Sequence, residues 1–335
     1  MDYKKISGAL IGTALGDALG ARTEFLDMDA IRKQFPPDGP QQLQGNPARV
    51  TDDTQMALAV GNALIAAPVP YAADSLSREL SRTFIGWYND PENNRAPGTT
   101  CLIACENLLK GKYWLQASQI NSKGCGANMR VMPVGLLDVD APTRAGIAQL
   151  QAAITHGHPT GLAASDLTAF VIADLANGGK PDGLPQRVRQ YALSQHSIYH
   201  KQWLGDLWQR AQMTHSSQEF IERGWDECLA VLHRLDTALE KMDRQTDPCL
   251  QTGAGWIAEE AFATGLLCFL MYPDEPIASL RRAAFTSGDS DSIACIAGAF
   301  AGAYHGLDAW PADWVERIEY RDHLLSLSND LSHKN

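Results

Sequence analysis

Two short segments of the sequence place acidic and hydroxyl side chains directly before apolar stretches. TDDT occupies residues 51–54 and precedes QMALAVGNAL, and GDSDS occupies residues 288–292 and precedes IACIAGAFAGAYHG. Ser, Thr and Asp are common N-caps, and acidic groups favour the positive end of a helix. One acid would fill that role, whereas two acids in each cluster, crowded against an apolar helix, repel one another. A divalent cation would neutralise this repulsion.

Carboxylates combined with Thr and Ser hydroxyls and water form an all-oxygen ligand set, which suits Mg²⁺ or Mn²⁺ and not zinc. If the fold brings the two clusters together, they would form a two-metal site with ions on the order of 4 Å apart. The alternative is that these acids only cap helices or lie on solvated loops, where DD and DxD pairs also occur.

A glycine-rich turn, SKGCGANMR, spans residues 122–130 and runs into a helical pattern. Small residues allow backbone N–H groups to approach a diphosphate, and a helix N-terminus adds a favourable dipole. Such turns often bind nothing. His156, in THGHP, and Trp256, in GWIAEE, are two further candidates. Trp256 could stack on a base or a ribose, but core packing is an equal alternative, and a lone histidine is more often structural. Glu259 and Glu260 fit ordinary helix acids.

The elements that must position these residues are predicted to be helices. Most of the chain shows helical rather than alternating periodicity, for example at 57–66, 101–109, 161–176, 220–242 and 293–304. Few segments alternate in the manner of strands, and Pro and Gly separate the helical stretches. The sequence therefore predicts an all-α helical bundle.

Glycines recur every fourth residue in two segments, at positions 8, 12, 16 and 20 and at positions 298, 302 and 306. Each glycine costs a helix roughly 1 kcal/mol relative to alanine. Close approach of a second helix backbone would offset this cost. We therefore predict that two helices from opposite ends of the chain pack together. Length alone slightly favours two domains, but this pairing predicts a single domain over residues 1–335.

Composition excludes several classes of protein. The chain has 28 basic and 39 acidic residues, a formal charge of −11, which argues against a nucleic-acid partner. Seven cysteines without CxxC spacing fit small buried residues in a reducing, intracellular compartment. The apolar run at 261–271 is too short to span a bilayer. We expect no membrane partner, no cleaved leader and a cytoplasmic location.

Six segments resemble successive signatures of the ADP-ribosylglycohydrolase family, in the order that the family has them. They span residues 8 to 306 and read GALIGTALGDALGARTEF, TDDTQMALAVGNAL, GCGANMRVMPVG, THGHP, GWIAEEAFA and TSGDSDSIACIAGAFAGAYHG. The resemblance implies an all-α fold and a binuclear Mg²⁺ or Mn²⁺ centre. It also implies hydrolysis of the bond that joins ADP-ribose to an acceptor.

The resemblance also implies roles for individual residues. Those that match metal ligands are Thr51, Asp52, Asp53, Asp289, Asp291, Ser292 and, in some members, Glu24. The alternative for Glu24 is a surface acid after a helix. Those expected to bind ADP-ribose are Ser122, Lys123, Gly124, Cys125, Gly126, Ala127, Met129, His156 and Trp256.

The motif GCGANMR, with Cys125, looks closer to the branch that acts on ADP-ribosylarginine. Some bacterial members that act on a modified nitrogenase component carry an acid before Gly-Thr-Thr. This chain has Arg95-Ala96-Pro97 there, which weakens nitrogenase reductase as the substrate. The base is then expected to be Asp53 or a metal-activated water. Asp53, Asp52 and Asp289 are the predicted catalytic residues of an ADP-ribosylarginine hydrolase with two Mg²⁺ or Mn²⁺ ions.

Two alternatives remain open at this point. The protein could act as an immunity factor that binds and occludes a cognate ADP-ribosylating toxin, either alone or in addition to hydrolysis. It could instead hydrolyse another linkage, such as O-linked serine or O-acetyl-ADP-ribose. Residues 200–252, with Trp203, Trp208 and Trp225, match no motif and fit either a variable lid or partner surface, or plain packing.

Overall fold

The computed structural model describes residues 1–212 and 214–334, and the predicted all-α architecture is confirmed. Within these residues only isolated β-bridges occur, and no strand. The α-helices, in chain order, are α1 (Tyr3–Gly20), α2 (Met28–Gln34), α3 (Asp52–Ala66), α4 (Ala73–Tyr88), α5 (Thr99–Leu109), α6 (Trp114–Ala117), α7 (Met132–Gly135), α8 (Ala141–Ala153), α9 (Pro159–Ala176), α10 (Leu184–Gln195), α11 (Lys201–Leu204), α12 (Ser217–Lys241), α13 (Cys249–Thr252), α14 (Ala258–Met271), α15 (Pro276–Ala284), α16 (Ser290–His305), α17 (Ala312–Arg317) and α18 (Arg321–Ser332). Short 3₁₀ turns lie at Cys125–Ala127, Leu207–Arg210 and Leu307–Ala309.

Helices α1 and α16 pack antiparallel, backbone against backbone, as the glycine spacing predicts. A Cβ atom on Gly12 would overlap the carbonyl of Gly298, and one on Gly298 would overlap the carbonyl of Gly12. Gly8 faces Gly302 in the same way. Both helices are buried almost along their whole length. The two ends of the chain therefore form the centre of the bundle.

A single hydrophobic core runs through the described residues, and the tryptophans of the 200–252 stretch contribute to it. Trp225, on α12, is fully buried, and Trp203 packs against Gly146 of α8. For these two side chains, plain packing is the correct interpretation. All seven cysteines are buried, free thiols, as expected. Among the described residues, no helix is both long enough and apolar enough to cross a bilayer.

The α1–α16 contact predicts opposite effects for two Gly→Ala changes. Gly12→Ala should lower the free energy of unfolding by about 1–3 kcal/mol, because the added methyl overlaps the opposing backbone. Gly86→Ala should raise it by up to about 0.5–1 kcal/mol, because Gly86 lies in the last turn of α4 with open space around its Cβ position. Urea denaturation of both variants measures these changes. The same change in the free energy of unfolding in both variants would contradict the close packing of α1 and α16.

Candidate active site

The two acidic clusters meet at a cavity of about 340 Å³, where the N-termini of α3 and α16 lie beside the turn that follows α1. The side chains and backbone that line it are Glu24, Phe25, Asp52, Asp53, Ala96, Pro97, Gly98, Thr99, Thr100, Cys101, Gly124, Cys125, Gly126, Met129, His156, Trp256, Asp289, Asp291 and Ser292. Segments separated by up to 268 residues, from Glu24 to Ser292, thus converge on one concave surface. Its volume suits a small-molecule site.

Carboxylates crowd one side of this cavity. One ligand oxygen each from Glu24, Asp289 and Asp291 lies within 4.8 Å of the other two. Asp52 and Asp53 line the same cavity and are 6% and 2% exposed. The structure therefore joins the two acidic clusters, as a binuclear site requires.

Burial and mutual repulsion disfavour the ionised form of four of these acids. Burial first, and the neighbouring Asp291 second, hold the pKa values of Asp52, Asp53 and Asp289 well above their ordinary value. The same two causes raise the pKa of Glu24 to about 10. One oxygen of Asp53, Oδ2, is buried without a hydrogen-bond partner. An all-oxygen cluster with an unpartnered buried carboxylate oxygen fits a hard divalent cation, which would supply the missing partner.

The two predicted hydroxyl ligands occupy different positions. Ser292 lines the cavity, and its backbone N–H donates to Asp291 Oδ1 at 2.9 Å. Thr51 is not part of the cavity wall. Its side chain accepts a hydrogen bond from the Asp53 N–H at 3.3 Å and caps α3. The role of Thr51 as a metal ligand therefore stays a prediction.

Asp17 orients the first acidic cluster, that of residues 51–54. The sequence did not reveal this role. It lies on α1, fully buried, and its carboxylate accepts from the backbone N–H of Thr51 at 2.9 Å and that of Thr54 at 3.1 Å. The Thr54 hydroxyl also donates to it, at 2.5 Å. Burial raises the pKa of Asp17 to about 7, with a further contribution from Asp291. This carboxylate fixes the first turn of α3, and hence Asp52 and Asp53, to the central helix.

The second cluster is held by the glycine-rich loop and by the segment before α14. The Asp289 N–H donates to the Ala254 carbonyl at 2.8 Å. The Cys125 Sγ atom lies 3.0 Å from Asp289 Oδ2 and 2.9 Å from Ser292 Oγ, within hydrogen-bond distance of both. The Cys125 N–H in turn donates to the Trp256 carbonyl at 3.1 Å. The loop around Cys125 therefore orients two predicted metal-site residues as well as facing the cavity.

Only part of the predicted ADP-ribose-binding loop forms the cavity wall. Gly124, Cys125, Gly126 and Met129 line it. Three other predicted contacts, at Ser122, Lys123 and Ala127, lie outside the wall. Ser122 Oγ bonds to the Thr100 hydroxyl at 2.8 Å, and Ala127 is fully buried in the core.

Lys123 is occupied by an ion-pair cluster behind the loop. Its Nζ atom lies 2.6 Å from Glu227 of α12 and 2.6 Å from Glu259 of α14. The Lys123 carbonyl also accepts from the Ala258 N–H at 2.9 Å. Two carboxylates neutralise the lysine charge, so its position suits anchoring of the loop. Glu259, expected as an ordinary helix acid, is a buried partner in this cluster.

His156 is buried on the wall of the cavity beneath the glycine loop. Its Nδ1 bonds to the Thr155 hydroxyl at 2.7 Å, and Thr155 accepts from the buried Arg130 at 2.8 Å. Burial first, and then the Arg130 charge, lower the pKa of His156 well below its ordinary value. His156 is therefore neutral near pH 7, and its ring packs against the positions of Gly124 and Gly126.

Two exposed aromatic rings stand at the mouth of the cavity. Trp256 is 43% exposed and stacks on Phe25, with ring centroids 5.5 Å apart. Phe25 follows Glu24 directly and has a φ of 65°, a left-handed conformation that is strained for an aromatic residue. Trp256 thus lines the cavity with an exposed ring, and its contact with a base or a ribose stays a prediction. Phe25 was missed, because its contact with Trp256 joins positions 231 residues apart in the sequence.

The segment before Gly-Thr-Thr forms another wall, and Arg95 anchors it. The Arg95 guanidinium donates to both oxygens of Glu319, at 2.5 and 2.9 Å, and to the Val50 carbonyl at 2.8 Å. Glu319 also accepts from the Val50 N–H at 3.0 Å. A partly buried ion pair therefore holds both backbone groups of Val50, the residue before Thr51. Ala96, in the cavity wall, has a φ of 55°.

Comparisons with known proteins agree with this geometry. A family model described as ADP-ribosylglycohydrolase matches residues 1–335. A solved structure titled ADP-ribosylglycohydrolase-related protein complex has the same fold, with a TM-score of 0.69 and 21% identity. It covers 99% of this chain and 98% of its own.

Three curated relatives are similar over nearly the whole chain. ADP-ribosylarginine hydrolase Tri1 of Serratia proteamaculans is 26% identical, over 98% of this chain and 78% of its own length. Human ADP-ribosylhydrolase ARH3 is 28% identical, over 94% and 89%. ADP-ribosyl-[dinitrogen reductase] glycohydrolase of Rhodospirillum rubrum is 24% identical, over 95% and 92%.

The position of Asp17 predicts a loss of both stability and metal response in Asp17→Asn. An amide cannot accept from every donor that Asp17 faces, so the free energy of unfolding should fall by about 1–3 kcal/mol. The rise in melting temperature on addition of Mg²⁺ should also shrink. Urea denaturation and melting curves at about pH 8 measure both, with the exposed Asp330→Asn as the matched control. If Asp17→Asn matched that control in both the free energy of unfolding and the response to Mg²⁺, the orienting role of Asp17 would be contradicted.

The raised carboxyl pKa values predict an unusual dependence of stability on pH. A group whose pKa is higher in the folded state binds its proton more tightly there, so its contribution is present at low pH. This contribution to stability is lost as the pH rises from about 4, the ordinary pKa of a carboxyl group, to the folded-state pKa. The folded-state pKa is about 7 for Asp17 and about 10 for Glu24.

Chelator-treated protein should therefore melt at lower temperature as the pH rises from about 5 to about 8. Because Mg²⁺ binds ionised carboxylates, its effect on the melting temperature should grow over the same range. Melting curves with and without Mg²⁺ measure this, and a Mg²⁺ effect that is absent or independent of pH would contradict the site.

Proposed function

This chain belongs to the ADP-ribosylglycohydrolase family, and we propose that it removes ADP-ribose from arginine side chains of proteins. The observation that carries the proposal is the cavity in which five carboxylates converge beside a glycine-rich loop. The arginine linkage is supported by the GCGANMR motif and by the named activity of the Tri1 relatives from two bacteria. An enzyme of this kind reverses mono-ADP-ribosylation.

We assign the divalent cations of this proposal to the carboxylate cluster. Glu24, Asp289 and Asp291 would hold one ion, and Asp52 and Asp53 would face a second. The hydroxyls of Thr51 and Ser292 complete the proposed set. When bound, Mg²⁺ or Mn²⁺ would orient the ribose hydroxyls and lower the pKa of a water molecule.

The residues of the chain would then perform three tasks. Asp53 lines the cavity and has a buried oxygen without a hydrogen-bond partner, a position that suits passing a proton to the departing guanidine. Asp52 and Asp289 place negative charge around the ribose carbon, where positive charge develops as the C–N bond breaks. The buried cluster holds these groups in place before the substrate arrives.

The rest of ADP-ribose would bind along the loop and the aromatic rim. Gly124 and Gly126 have no side chain, so a diphosphate can approach their backbone beside the neutral His156. Trp256 presents an exposed ring on which a base or a ribose can stack. In this arrangement the bond to be cleaved would lie at the acidic end of the cavity.

A second linkage is favoured by one observation and forms the alternative. Relatives named ADP-ribosylhydrolase ARH3 are as similar to this chain as the relatives named for arginine. Hydrolysis of O-linked serine or O-acetyl-ADP-ribose therefore competes with the arginine assignment. The walls of the cavity do not discriminate between these acceptors, so substrates must be compared directly.

The test is release of ADP-ribose from matched arginine- and serine-ADP-ribosylated proteins, with Mg²⁺ and after chelation. We expect metal-dependent release that is fastest from arginine. Asp53→Asn should lower the rate at least about 100-fold, while Asp330→Asn, which removes an exposed acid on α18, should not.

Each other outcome has a distinct meaning. Faster release from serine would replace the arginine assignment. Release that survives in Asp53→Asn would refute the role of Asp53. No release from any linkage would refute hydrolysis and favour the immunity factor, for which a stoichiometric, metal-independent complex with an ADP-ribosylating toxin is the signature.

A further inference from the structure

A second cavity, of about 440 Å³, lies between the loop after α2 and helix α15. It shares no lining residue with the candidate active site. Three arginines face it, namely Arg244, Arg281 and Arg282. The remaining wall is formed by Pro37, Asp38, Gln41, Gln245, Tyr272, Ala278 and Phe285. The composition of this cavity is therefore opposite in charge to that of the acidic one.

The three arginines are not neutralised within the described part of the chain. None of their guanidinium groups lies within 4.0 Å of a carboxylate among residues 1–212 and 214–334. Arg281 donates only to the Gln41 carbonyl, at 2.8 and 3.1 Å, and Arg244 stacks 4.6 Å above the Tyr272 ring. In a chain with a net charge of −11, three unpaired arginines around one cavity are unusual.

Arg282 is the most informative of the three. Its side chain is only 7% exposed, and its Nε and Nη2 atoms are buried with no hydrogen-bond partner in the described residues. Both atoms are shielded from solvent, and the guanidinium carbon lies 5.1 Å from the centroid of the Phe285 ring. Because a buried cation without a hydrogen-bond acceptor is unfavourable, an anion in the adjoining cavity would stabilise the charge of Arg282.

The nearby acids do not serve that purpose. Asp243 accepts from the backbone N–H groups of Gln245 and Thr246, at 2.9 and 3.1 Å. Hydrogen bonds with Thr246, and to a smaller extent the charge of Arg282, lower the pKa of Asp243. Asp38 is exposed on the rim and pairs with none of the arginines. Neither acid pairs with a guanidinium group of the three arginines, so these groups remain available to a ligand.

We propose that this cavity is a second binding site, for a small phosphorylated molecule. Its phosphate would lie between Arg281 and Arg282, with Arg244 at the mouth. Phosphate oxygens match the paired donors of guanidinium groups. A volume of about 440 Å³ accommodates a sugar phosphate or a mononucleotide. Binding here would leave the catalytic cavity free.

Isothermal titration of the full chain tests the proposal, with inorganic phosphate and ribose 5-phosphate as separate probes and acetate at matched ionic strength. We expect saturable binding of the phosphates and none of acetate. Tighter binding of ribose 5-phosphate would identify an organic phosphate, and equal affinities would identify the free anion. Both results support the site.

Variants then locate the binding. Arg282→Gln and Arg244→Gln should each weaken it at least about tenfold. Lys180→Gln, which removes one exposed charge outside the cavity, should change it less than about twofold, and so should Asp289→Ala in the catalytic cavity. If Arg282→Gln does not fold, the affinity of Arg244→Gln tests the proposal, because Arg244 is exposed and its replacement should not disturb the fold. Absent or acetate-like binding, binding unchanged in both arginine variants, or binding lost in Asp289→Ala would each overturn the proposal.

Discussion

The backbone-to-backbone packing of α1 against α16 is the constraint on which the site depends. Glycine at the crossing points lets the two helices approach closely enough to bring the end of α1 beside the start of α16. Glu24 then lies next to Asp289 and Asp291. The same central helix carries Asp17, which grips the first turn of α3. One helix therefore sets the positions of both acidic clusters, although none of the proposed ligands lies on it.

The site is assembled at a cost to the fold. Five carboxylates face a single small cavity, and burial and repulsion disfavour the ionised forms of Glu24, Asp52, Asp53 and Asp289. The surrounding core, the glycine contact and the Arg95–Glu319 pair hold them together against that repulsion. Functional sites commonly concentrate strain of this kind, since the groups that bind a cation are those that repel one another without it. The left-handed backbones of Phe25 and Ala96 at the cavity wall are further examples.

Features that repeat locally along the chain could be predicted, and those that depend on distant partners could not. The glycine spacing predicts the helix pair, and the acidic clusters predict where the cavity lies, because each is a short pattern with a physical cause. Asp17 resembled a polar interruption of an apolar run, since its partners lie 34 to 37 residues away. Lys123 resembled a phosphate ligand, but its charge is taken by Glu227 and Glu259, more than 100 residues further on.

The pairing of the first helix with one that lies almost 300 residues later also constrains how the protein forms during translation. Until the segment that carries Asp289 and α16 leaves the ribosome, the glycine face of α1 has no partner, and the acids of α3 lack the second cluster. The bundle centre is thus completed late, after most of the surrounding helices have been made. A nascent chain therefore exposes the apolar surface of α1 for most of its synthesis, and this surface is open to aggregation until α16 covers it.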